Sequence, residues 1–120
     1  TAGAVIDSMF APGSKGSMVD LVREVALGTH ADTFCAAITA ITLYDGEPNL
    51  KNLRVPTLLL AGEHDKVGRP EGMKSVQTQF VPHAEYACIP GAGHYAFAEQ
   101  HELFNGHLLR FIRERVMAAR

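Results

Sequence analysis

An α/β fold with parallel strands is the class this sequence predicts, and three observations predict it. Val55-Pro56-Thr57-Leu58-Leu59-Leu60-Ala61 is a continuous apolar run without alternation, the pattern of a strand covered on both faces. Glu85-Tyr86-Ala87-Cys88-Ile89-Pro90 is a second run of strand length. Between them Met73, Val76, Gln77 and Phe80 recur at helical spacing, so strand, helix and strand follow one another as in a parallel crossover unit.

The elements before this unit are read as helical. Residues 1–16, with Gly3, Pro12, Gly13 and Gly16 around Val5, Ile6, Met9 and Phe10, predict an irregular opening segment. Ser17 then stands as an N-cap before Met18, Val22 and Val25, Asp20 lies in the first turn, and Gly28 stops the helix. A second helix starts near Asp32 with Phe34, Ile38 and Ile41 on one stripe, expected to pack as core, and Tyr44-Asp45-Gly46-Glu47-Pro48 ends it. The expected division is therefore 1–48, an irregular segment plus two helices, and 49–120, the strand and helix unit.

The unit itself has clear punctuation. Pro70 opens its helix at a position where no amide is needed, and Val81-Pro82 closes it. From about Glu99 a long helix carries Phe104, Leu108, Phe111 and Ile112 on one side, with Arg110, Arg113 and Arg115 near its negative end. Two parallel strands leave two free edges and helix faces without a full sheet beneath them. The sheet is therefore expected to be completed by another segment of polypeptide.

Bulk composition narrows the partners. The 120 residues hold 11 basic and 13 acidic side chains, a formal charge of −2, with no run of like sign, which disfavours nucleic acid and anionic membrane. No stretch approaches the roughly 18 to 20 apolar residues of a membrane span. Cys35 and Cys88 lie in apolar surroundings and are expected to be buried free thiols, which suits a reducing cytoplasm. None of His30, His64, His83, His101 and His107 pairs with another at metal-ligand spacing, so no metal and no cofactor is expected, and these histidines read as surface or crevice-wall residues.

The chemistry lies in two loops. In parallel sheets ligands bind beyond the C-terminal strand ends, and Gly62-Glu63-His64-Asp65 and Gly91-Ala92-Gly93-His94 each follow a strand. Neighbouring strands would bring Asp65 to one imidazole nitrogen of His94 and leave the other nitrogen for a hydroxyl nucleophile, the acid and base of a Ser-His-Asp relay. A solvated turn aspartate is the bland alternative, and His94 behind it is what outweighs that alternative. The nucleophile itself is absent, since no GxSxG occurs. Tyr95 and Phe97 are expected beside His94 as pocket residues, and Phe34 and Ile38 are candidate lid contacts to a substrate.

At these residues the chain resembles the α/β-hydrolases, from about Asp45 to Arg113. Leu50 through Asp65 is similar to that family's strand and acid loop, and Ile89-Pro90-Gly91-Ala92-Gly93-His94 to its base loop. Glu99, Phe104 and Phe111 match the helix that follows, and Cys35 to Ile38 with Tyr44-Asp45 resemble the end of the lid in the enol-lactonase and esterase branch. His101 stands where the family often has proline, and Pro70 comes one residue later than usual. The resemblance implies the C-terminal part of an α/β-hydrolase, lid end at 1–48 and catalytic part at 49–120, with Asp65 the acid and His94 the base. It implies a serine hydrolase for carboxylic esters or lactones, whose nucleophile and oxyanion hole come from an N-terminal partner segment, and it leaves room for a homo-oligomer of the two-segment unit. A non-catalytic ligand-binding protein, or carbon–carbon hydrolysis, perhydrolysis or acyl transfer on the same scaffold, are the alternatives.

The chain begins at Thr1, which suggests a trimmed start or a precursor cut before it. A new N-terminal threonine can itself be a nucleophile, but that chemistry sits on antiparallel sheets and would leave both loops unexplained.

Overall fold

The computed structural model describes residues 2–118, so Thr1 and the nucleophile role weighed for it lie outside the described residues. The chain forms α1 (Ala2–Met9), α2 (Ser17–Gly28), α3 (Ala31–Leu43), α4 (Glu47–Lys51), β1 (Leu58–Gly62), α5 (Pro70–Gln79), β2 (Glu85–Ile89), α6 (Ala96–Glu99) and α7 (His101–Phe111), then a π-helical stretch over Ile112–Met117. β1 and β2 pair in parallel from Leu58 opposite Glu85 to Gly62 opposite Ile89, and α5 is the crossover between them. Both α5 and α7 pack against the two strands. The parallel α/β unit expected from the apolar runs is present.

The pairing does not stop with the strands. Thr57 accepts a hydrogen bond from the Glu85 amide at 2.9 Å before them. Beyond them the Glu63 amide donates to Ile89 at 3.0 Å and the His64 amide to Ala92 at 2.8 Å. The ladder thus runs into the two loops and fixes one against the other. Ile89, fully buried with Ala92 and Ala96 under Phe104, anchors the second loop from below. Burying such a side chain stabilises by about 2 kcal/mol.

Several expectations are corrected. Residues 2–9 are helical rather than irregular, because Ile6 turns inward and, with Phe10 just past the helix, packs on Val19 of α2. The helix stops at the turn that holds Pro12 and Gly13, the glycine taking a φ of 79°. On α2 the inward face is Val19, Val22 and Ala26, one position round from the Met18, Val22 and Val25 stripe, and Met18 and Val25 face solvent. Gly16, not Ser17, is the N-cap, and Ser17 is the first helical residue. A short helix, α4, follows the turn at Tyr44–Gly46, with Pro48 in its first turn. The C-terminal helix is broken at Gln100, whose φ of −135° and ψ of 53° separate α6 from α7.

Burial departs further. α3 is helical where expected but holds no buried residue, so Phe34, Ile38 and Ile41 are not core. Leu58, Leu59 and Leu60 are half-buried, and only Ala61 and Gly62 of β1 are buried. Cys35 and Cys88 are exposed free thiols, not buried ones. For β1 and Cys88 the physical reason is that the sheet has two strands among the described residues, so positions that a wider sheet and its helices would cover meet solvent.

Candidate active site

Asp65 and His94 lie immediately past β1 and β2, and their side chains meet. His94 Nδ1 is 3.0 Å from Asp65 Oδ2 and 3.2 Å from Oδ1. An ionised carboxylate only accepts, so Nδ1 carries the hydrogen and donates it. Among the described residues no hydrogen bond reaches Nε2, and the imidazole is 38% exposed while the Asp65 side chain is 8% exposed. The pair is therefore a buried carboxylate holding a half-open imidazole by one edge.

The local chain explains how Asp65 is held. Its Oδ1 accepts from the amides of Val67 and Gly68, both at 2.8 Å, an Asx-type turn that closes the acid loop on itself. Burial pushes the carboxyl up, but the hydrogen bond from His94 and those from the Val67 and Gly68 amides outweigh burial and leave it below the ordinary aspartate value. Asp65 stays charged at neutral pH. That charge holds the His94 hydrogen on Nδ1 and so leaves Nε2 as the acceptor nitrogen of the ring.

The loops touch so closely that glycine is required at the contact. A Cβ on Gly62 would collide with the carbonyl oxygen of Gly93 and stand 2.6 Å from that of Ala92. Gly91, with a φ of 70°, makes the turn out of β2, and its amide donates to Glu63 Oε2 at 2.9 Å. On the other side the loop meets the end of α1. The His94 amide donates to the Met9 carbonyl at 2.7 Å, and a Cβ on Gly93 would stand 2.5 Å from that oxygen.

The other expected site residues are placed unevenly. Tyr95 is beside His94, its ring edge-on at 5.6 Å, but it faces the packing layer, 4.8 Å from the Phe10 ring, with its hydroxyl on Met9 Sδ. Phe97 is reached only through Tyr95, at 6.3 Å, and is 46% exposed. Phe34 and Ile38 are not brought to the pair, since Phe34 borders a separate groove with Val5 and Ile6, and Ile38 is exposed on α3. An open cleft of about 1060 Å³ lies on the acid side, between Pro12, His64, Asp65, Arg69 and Met73. His64 is exposed there, as a crevice-wall reading expects. No group of three His, Cys, Asp or Glu side chains among the described residues could hold a metal ion.

Sequence reasoning missed the contribution of the opening segment and of Glu99. Glu99 accepts from nearby Gly93 and, across most of the chain, from Ala11 and Ser14.

No protein-family model matches the chain. Among curated proteins it is 35% identical over 82 residues to the polyketide synthase ThaQ of Burkholderia thailandensis, covering 68% of this chain and 4% of that protein. It is 31% identical over 78 residues to the pimeloyl-[acyl-carrier protein] methyl ester esterase of Nitrosospira multiformis, covering 65% of this chain and 29% of the esterase. Among solved structures it superposes on the enol-lactonase from Burkholderia xenovorans LB400 with a TM-score of 0.81 and 24% identity, over 94% of this chain and 44% of the lactonase. The chain spans less than half the length of these relatives. Its parallel strands, crossover helix and following helices have the α/β-hydrolase fold and match the C-terminal portion of that family's members.

Proposed function

We propose that this chain carries the acid and the base of a serine hydrolase for carboxylic esters or lactones, with Asp65 the acid and His94 the base. The single observation behind the reading is the Asp65 carboxylate on His94 Nδ1, which leaves Nε2 without a partner among the described residues. The curated methyl ester esterase and the enol-lactonase support ester and lactone carbonyls as the substrate class. Residues 1–48 are the end of the lid, and residues 49–120 the C-terminal part of the catalytic domain.

In this reading the nucleophilic serine and the oxyanion donors belong to an N-terminal segment that adds strands beside β1 and β2. The free sheet edges and half-buried leucines of β1 support such a neighbour. His94 Nε2 removes the serine proton as the oxygen attacks the carbonyl, and the tetrahedral oxyanion collapses by expelling the alcohol, which takes that proton back from His94. Water, deprotonated by the same nitrogen, then attacks the acyl-enzyme and releases the acid. No metal or cofactor enters these steps. No helix among the described residues is long and apolar enough to cross a membrane, and two unpaired thiols support a cytoplasmic setting.

His94→Ala tests the reading in the enzyme assembled with the nucleophile-bearing segment. Ester turnover should fall about 10³-fold or more while assembly is retained. Undiminished turnover would leave a ligand-binding role as the better account.

A further inference from the structure

We infer that Glu99 is a positioning residue for the catalytic base, a clamp that ties the His94 loop to the turn after α1 and so holds the imidazole at Asp65. The assignment rests on His94 acting as the base.

The geometry is a seam with one carboxylate across it. Glu99 Oε2 accepts from the Gly93 amide at 2.9 Å, next in chain to His94. Its other oxygen, Oε1, accepts from the Ala11 amide at 2.6 Å and from the Ser14 hydroxyl at 2.5 Å. Charged acceptors make shorter and stronger hydrogen bonds than neutral ones, and three donors converge on this one. Ala11 and Gly93 are both buried, so their amides would otherwise be donors without acceptors. The neighbouring carboxylates are committed elsewhere. Asp7 pairs with Arg23 at 2.7 Å, and Glu63 takes the Gly91 amide.

The seam bears directly on His94. The Met9–Ala11 backbone fills the space beside Gly93 that any side chain would occupy, and Met9 accepts from the His94 amide. The base loop is thus held from below by Ile89 and Ala92 and from above by the opening segment, with Glu99 as the side chain that closes the upper contact. Releasing Glu99 frees Gly93, and the adjacent imidazole loses its fixed approach to Asp65.

Two variants and two readouts test this. Glu99→Gln keeps the shape but turns an amide hydrogen toward Gly93 or toward Ala11, and Glu99→Ala removes every contact. In the full chain, Glu99→Gln leaves one of the two buried amides without an acceptor, so hydrogen exchange should speed up about tenfold at Gly93 and His94 or at Ala11, and in Glu99→Ala at all three, with the β1 and β2 amides unchanged. In the assembled enzyme kcat should drop about tenfold with KM within about twofold, and Glu99→Gln should add no further loss in a His94→Ala background. If Glu99→Ala does not fold, Glu99→Gln alone decides. Unchanged exchange at both Gly93 and Ala11, equal acceleration at the strand amides, or a raised KM with wild-type kcat overturns the assignment. Full turnover by His94→Ala sinks the catalytic reading instead, whereas loss there with wild-type kcat in both Glu99 variants sinks only the role of Glu99.

Discussion

The junction of the two loops and the helix α3 are opposite kinds of structure made from one chain. At the junction Gly62, Glu63, His64, Gly93 and His94 all make backbone contacts or hydrogen bonds across the strand ends, and Ala61, Gly62, Ala92 and Gly93 are buried. Across α3 no residue is buried, although Phe34, Ile38 and Ile41 form the apolar stripe of a packing helix. The difference teaches that the Asp65–His94 pair is organised by contacts internal to this chain, while α3 has an apolar face with no cover among the described residues.

The comparison breaks most readily at Gly62. A methyl there meets two carbonyl oxygens of the backbone, which cannot rotate away, so Gly62→Ala should cost about 3 kcal/mol or more and separate the loops. Gly106, on α7 with open space around its Cα, is the control. Gly106→Ala should be neutral or stabilise by up to about 1 kcal/mol. Urea unfolding of the two variants measures both. Equal stability would mean that the loops are not packed as closely as described.

How much of this the residues announced follows from the range of the contacts involved. The strands and the crossover helix are set by short apolar runs and by Pro70, which act locally, so they were legible within one to three residues. The contact between Asp65 and His94 was legible because a parallel pair places the loops after its strands side by side. α1 was not, since Gly3 and the small alanines hide a helix whose reason is Val19 of another element. Glu99 was not, because its partners Ala11 and Ser14 are sequence-distant and two of its three bonds come from backbone amides, which carry no residue signature. The thiols were misread for a third reason. Apolar neighbours in sequence imply burial only when the sheet that would bury them is complete, and Cys88 sits on a strand whose outer side is open.

A charge test sharpens the description of the junction. Asp65→Asn can keep the acceptor for Val67 and Gly68 but removes the negative charge beside His94. The carboxyl is held below its ordinary value, so its stabilising effect is fully present above about pH 3.9 and fades as pH falls through the lowered folded value. Wild type should therefore melt higher than Asp65→Asn at neutral pH, with the gap closing in acid. A gap that is constant across this range would show that the aspartate acts through shape alone.

The smallest effect belongs to α3. Ile41 is 69% exposed, and replacing it by serine removes little buried area, so Ile41→Ser should shift the stability of this chain by less than about 0.5 kcal/mol. If the proposed partner segment covers the stripe, the same change in the two-segment assembly removes that apolar contact, and there the loss should reach about 1 to 2 kcal/mol. Melting temperatures of the variant with and without that segment separate the two cases. A loss of more than about 1 kcal/mol in the chain by itself would mean that α3 is already packed, and the contrast between the two regions would fall.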